Sequence, residues 1–307
     1  MHRAIGIVLS VIFLAFPAAA TSVPRPEARA PRNLVVYFEF LDNGNGVEEA
    51  VTYLFNRMLG PDDRLIIQSP ARAYSFSRST LSRPKAELIA LMKEKLRGDI
   101  AKAAQSYKQI IGDLDNAARE IEELAYPTGT VDTNKDMNEL FILYRQALAN
   151  LNQLRKINDA SLRRLAGAFR GHKGENHILI LFEREFRPIP RREALNVLGD
   201  MPRFAFQSNE LFATGSMKQP FAVATLADDF KRVPLVQHFI YVTSKNTSST
   251  GNLFENSGDV YAAFSKIAQA TGGVCRTITE PVAGLEAVMK TWQRSNPDRK
   301  ETGEKKQ

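Results

Sequence analysis

Three runs of β-forming, mostly apolar residues set the tightest limit on this chain: Leu34-Val35-Val36-Tyr37-Phe38, His177-Ile178-Leu179-Ile180-Leu181-Phe182 and Val236-Gln237-His238-Phe239-Ile240-Tyr241-Val242. A strand with one wet face alternates apolar and polar residues. A run without alternation belongs to a strand covered on both faces, as in a parallel sheet. The covers are legible as helical spacing. Val47, Ala50, Val51, Leu54, Phe55 and Met58 form one apolar stripe, which Gly60-Pro61 ends. Arg64–Gln68 reads as a second strand and Ala71–Phe76 as a short third one. Arg191–Leu198 reads as a short helix, and Val260–Ala270 as a helix closed by Thr271-Gly272-Gly273. A last strand spans Val274–Ile278, and a final helix starts at Pro281 and carries Leu285, Val288, Met289 and Trp292. Phe204 to Asp229 has no decisive pattern. Strand, helix, strand implies right-handed crossovers, so the expected class is α/β: a doubly wound, mostly parallel sheet.

Residues 84–170 break this texture. Ile100, Ala103, Tyr107, Ile110, Leu114, Ala117, Ile121 and Leu124 step by three and four, the seam of a coiled coil. Tyr126-Pro127-Thr128-Gly129 stops the helix, and Asp136 with Glu139 starts another. Leu140, Tyr144, Ala147, Leu151 and Leu154 resume the seam, and Ile157, Leu162 and Leu165 extend it. The expectation is an inserted antiparallel helical hairpin that buries its stripe mainly against itself. Forty residues would make an arm of about 60 Å. The alternative is two helices laid flat on the sheet.

The ends read as processing and tail segments. Arg3, an apolar run from Ala4 to Phe16, and Ala18-Ala19-Ala20 follow the order of a secretory signal over 1–20, too short a run to span a bilayer. Residues 21–32 read as a disordered, proline-bearing leader and 294–307 as a disordered tail. The chain is thus expected to be exported, periplasmic or secreted, with no transmembrane segment in the mature form. Cys275 is the single cysteine, so no intrachain disulfide forms, and it is expected to be a small buried apolar residue. The net charge of +7 is spread along 307 residues without a basic, aromatic-interleaved helix, which argues against nucleic acid.

Three passages resemble the von Willebrand factor A (VWA) family, specifically its bacterial exported members. They are Asn33–Phe40 with the helix that follows, Gly60-Pro61-Asp62-Asp63-Arg64-Leu65-Ile66-Ile67, and Val260–Gly273 with its Thr-Gly-Gly turn. The resemblance covers 33–80 and 175–293 and leaves the hairpin as an insertion. It implies a metal-ion-dependent adhesion site, built from Asp-x-Ser-x-Ser after the first strand and an Asp after a late central strand. The matching positions here are Glu39, Leu41 and Asn43, then Thr243, Ser244 and Lys245. Leu41 offers no side-chain oxygen, Ser244 replaces the acid, and Lys245 adds a positive charge where a hard cation would need oxygens. The expectation is no resident metal or cofactor, unless Asp42 or Asn45 rebuilds the loop. The alternative keeps metal-dependent adhesion through Glu39, Asp42 and Asn43.

No nucleophile elbow, phosphate loop or dinucleotide fingerprint occurs, so the chain reads as non-catalytic. Asp132–Asp136 resembles the start of a calcium loop but has Met137 and Leu143 where Gly and Glu are required, so it reads as a capped inter-helix turn. His172 and His177 flank a Gly-bearing loop with no fixed zinc geometry, and His238 reads as a hydrogen-bonded core residue. Arg187–Arg192 reads as a solvated basic turn and Thr247–Asn256 as a polar surface loop. The expected function is that of an exported binding or scaffold module of the cell envelope. Its protein partner would meet the strand-end loops (Glu39, Asp42, Asn43, Asn45, Thr243, Ser244, Lys245) or the hairpin, which can also pair with a second copy.

Overall fold

A computed structural model describes residues 31–41, 46–126, 137–154, 159–169, 174–202, 204–206, 209, 223–243 and 252–295. The strands are β1 (Arg32–Glu39), β2 (Arg64–Gln68), β3 (Ala73–Phe76), β4 (Glu175–Glu183), β5 (Phe186–Ile189), β6 (Leu235–Val242), β7 (Asn252–Glu255) and β8 (Cys275–Ile278). The helices are α1 (Val47–Tyr53, continued by a π-helical turn over Leu54–Met58), α2 (Arg78–Leu81), α3 (Lys85–Ala125), α4 (Met137–Leu154), α5 (Asp159–Ala168), α6 (Arg192–Gly199), α7 (Val223–Lys231), α8 (Gly258–Ala270) and α9 (Pro281–Ser295).

Six strands form one sheet in the order β3-β2-β1-β4-β6-β8, parallel except for the β2–β3 pair. The three apolar runs of the sequence are its centre, β1, β4 and β6, where Leu34 stands beside His177 and Glu39 beside Phe182. Because side chains alternate along a strand, each run feeds two cores. Leu34, Val36, Phe38, Leu179, Leu181, Ile240 and Val242 face α1, the start of α3, and α9. Val35, Ile178, Ile180, Phe239 and Tyr241 face α5, α7 and α8. This is a three-layer α/β/α arrangement, and each fully buried Leu, Ile or Phe contributes roughly 1.5–3 kcal/mol by leaving water.

The helical block differs from a free arm. Leu88, Met92, Leu96 and Ile100, in the first half of α3, lie in the sheet core beside α1. Further along, Leu114, Ala117 and Ala118 pack on Tyr144, Ala147, Leu148 and Leu151 of α4, as the seam predicts. Near its end Ile121 and Ala125 pack with Met137, Leu140 and Phe141 and with Ala194, Leu195 and Leu198 of α6. Of the expected continuation past Leu154, Ile157 and the Leu165 side chain lie outside the described residues. Leu162 and Ala166 of α5 join the core on the other face of the sheet. An apolar stripe shows that a face is buried, and carries no information about which partner covers it.

A two-stranded antiparallel ribbon, β5 with β7, stands outside the main sheet. It corrects two expectations. Arg187 is a strand residue only 2% exposed, with its guanidinium carbon 5.1 Å from the Phe254 ring centre, and Arg191 pairs with Glu122 of α3. Asn252–Glu255 is a strand, and Asn256 and Ser257 are fully buried. Tyr107 and Tyr144 donate hydroxyl hydrogen bonds to the carbonyls of Phe186 (3.1 Å) and Pro188 (2.9 Å), which ties the hairpin to this ribbon. Cys275 is half-buried, more accessible than expected.

At the N-terminal edge of the sheet, Arg32 is wholly buried and bound to Asp63 (Nη2 to Oδ2, 2.6 Å) under the Trp292 ring. His238 is a core histidine as the sequence suggests. The Val274 N–H donates to its Nδ1 (3.0 Å), so its own proton sits on Nε2, 3.3 Å from His177 Nδ1. Burial, with His177 beside it, pushes its pKa down to about 3. Gly273 follows Gly272, whose φ of +74° suits glycine, and a Cβ on Gly273 would meet the Gln237 carbonyl oxygen at 1.7 Å.

Candidate functional site at the strand ends

The chain winds outward from β1 to β2 and β3, then returns through β4 to β6 and β8 on the other side. Winding reverses between β1 and β4. At such a point the loops beyond the strand ends diverge and leave a crevice, the usual ligand position in open α/β sheets. A cavity of ≈ 580 Å³ opens at that place. Tyr37 and Glu39 of β1 and Phe182 and Glu183 of β4 line it, together with Glu185. Ala103, Ser106 and Tyr107 of α3 form the facing wall, and Leu154 of α4 stands at the rim. The long helix α3, which lies between β3 and β4 in the chain, therefore forms a wall of the crevice.

Of the residues expected at the site, Glu39 is in the cavity. Thr243 follows β6 half-buried, its N–H donating to the Ile278 carbonyl (2.7 Å), and is not among the cavity residues. Asp42, Asn43, Asn45, Ser244 and Lys245 lie outside the described residues, as do His172 and the Asp132–Asp136 turn. Leu41, where the resemblance needs an oxygen, presents its backbone N–H, which donates to Glu183 Oε2 (2.6 Å).

Glu183 and Glu185 were not expected. Glu183 is 2% exposed and Glu185 5%. Besides accepting from Leu41, the pair is held by the ribbon network. Asn256 Nδ2 donates to Glu185 Oε2 (3.3 Å), and the Glu185 N–H donates to Ser257 Oγ (3.1 Å). A usable signal was present: acids directly after an apolar strand run, one strand over from Glu39, stand where a winding reversal gathers chemistry.

Glu39 differs from both. Its carboxylate makes no hydrogen bond or ion pair among the described residues. It lines the cavity and is half-buried. Burial, then repulsion from Glu185, pushes its pKa up to about 7. Tyr37 beside it is pushed up to about 12 by burial and by the Glu39 charge. Among the described residues, the cavity thus presents Glu39 as an acid without a counter-charge beside the rings of Tyr37 and Phe182. Among the described residues no group of three His, Cys, Asp or Glu side chains is arranged to hold a metal ion. No protein-family model matches the chain, and no curated protein matches it.

Proposed function

We propose that this chain is an exported, non-catalytic binding module of the cell envelope, VWA-like in fold and without a working metal-ion-dependent adhesion site, whose protein partner engages the strand-end cavity. The observation that carries the reading is Glu39: an acid with no partner among the described residues, at the winding reversal, in a cavity of the folded chain. Such an acid lowers stability in the free protein, and acids shifted by burial and a like charge in a cleft cluster at functional sites. Loss of the metal site is supported by Leu41, which supplies a hydrogen-bond donor to Glu183 where a cation would require an acceptor.

The hairpin enters this reading as a wall of the cavity. A photo-crosslinking residue at Ser106 or Leu154, both exposed on the cavity lining, tests it against the same residue at Arg64, at the opposite end of β2. A discrete adduct with one host protein from the rim positions and none from Arg64 is the expected result. Equal labelling from all three, or none from the rim, would remove the strand-end cavity as the contact.

A further inference from the structure

We infer that the strand-end cavity receives a basic side chain, the ammonium of a lysine on the partner, seated against Glu39. The inference rests on the reading of this cavity as the binding face. Charge complementarity carries it. Glu39, Glu183 and Glu185 line the cavity, and no Lys, Arg or His is among its described lining residues. Glu183 and Glu185 are fixed by donors from Leu41 and Asn256, while the Glu39 carboxylate meets no donor among the described residues.

The rest of the lining suits an organic cation better than a hard metal ion. Tyr37, Tyr107, Phe182 and Phe264 offer ring surface. Such rings take up a methylene stem and attract an ammonium by cation–π interaction. A divalent cation demands about six oxygens in one shell. Here the second and third carboxylates each have an oxygen engaged by a protein N–H. A volume of ≈ 580 Å³ falls within the ordinary range for ligand pockets.

Binding also couples to protons. Among the described residues, the titratable groups that line the cavity with Glu39 are Glu183 and Glu185 from the end of β4 and beyond, with the phenols of Tyr37 on β1 and Tyr107 on α3. An ammonium beside Glu39 favours its ionised form and releases a proton near neutral pH, so affinity should rise between pH 6 and pH 8.

The test is calorimetry on the full chain with the peptide acetyl-Gly-Gly-Lys-Gly-Gly-amide and its Gln counterpart. The Lys peptide should bind and the Gln peptide should be weaker by about tenfold or more. Glu39→Gln should lose about tenfold for the Lys peptide while melting no lower than the native chain, which separates lost binding from lost folding. Equal binding of both peptides, no heat from either, or an unchanged affinity in the variant would overturn the inference. So would saturable Mg²⁺ or Ca²⁺ binding abolished by Glu39→Gln, which would give the carboxylate to a metal. A gain of about tenfold for the Lys peptide in Lys245→Ala would mean that the chain's own ammonium holds the site, and would equally overturn an external occupant. Failure of the peptide with a rim crosslink intact removes the lysine and leaves the binding face. Loss of the rim crosslink removes the face itself.

Discussion

A carboxylate that is desolvated and repelled binds its proton more tightly when folded than when unfolded, and Glu39, with no partner among the described residues, is held this way. Its ordinary pKa of 4.5 rises to about 7 in the folded chain. Its contribution is therefore fully favourable below pH 4.5 and is lost as pH rises through 7. Glu39→Gln should match the native chain in stability near pH 4.5 and exceed it near pH 8 by on the order of 2 kcal/mol, read by urea denaturation across pH. His238 acts with the opposite sign. Its depressed pKa means stability present above pH 6.5 and lost on acidification, in both proteins alike, so it cancels from their difference. At the other edge of the sheet, Asp63→Ala should cost about 3–5 kcal/mol, because it leaves the wholly buried Arg32 guanidinium without its carboxylate. The double change Arg32→Met with Asp63→Ala should cost less than Asp63→Ala alone, a comparison that denaturation of the two variants makes directly.

Among the elements, those with a long one-sided or two-sided apolar signal were legible in the sequence, and those held by polar pairing were not. β1, β4 and β6 needed only their uninterrupted runs, and α8 ends at Ala270, directly before the Thr-Gly-Gly turn that implied its end. The ribbon of β5 and β7 escaped because four-residue strands containing Pro188, Arg187 and Asn252 have loop composition. Their burial comes from Tyr107, Tyr144 and the Glu185–Asn256–Ser257 network, none of it local in sequence. The candidate site was half legible for the same reason. Glu39 follows the first apolar run, but Glu183 and Glu185 gain meaning only once β4 is known to lie beside β1. The helical block of α3 and α4 makes the same point. Leu96→Ala, in the sheet core, should cost about 2–5 kcal/mol, whereas Ile142→Ser on the half-open face of α4 should stay within about 0.5 kcal/mol. Equal effects in thermal denaturation would show that the hairpin is energetically one piece.

The molecule as a whole joins two textures that the sequence presents separately. The sheet supplies a winding reversal, and the inserted helix supplies both part of the core under β1 and the wall over its end. Deleting 84–170 therefore removes Leu88, Met92, Leu96 and Ile100 along with the hairpin tip, and the product should lack a cooperative melting transition; a sharp transition near that of the full chain would show the block to be a dispensable arm. The centre of this description is the proposal that Glu39, an acid with no partner among the described residues, receives a cation, and carboxyl-carbon NMR reads it at source. In the full chain labelled at glutamate, with Glu39→Gln giving the assignment, Glu39 should titrate at about 7 alone and about one unit or more lower in the presence of the Lys peptide. A Glu39 carboxyl that titrates in the ordinary carboxylate range and does not respond to the peptide would contradict it.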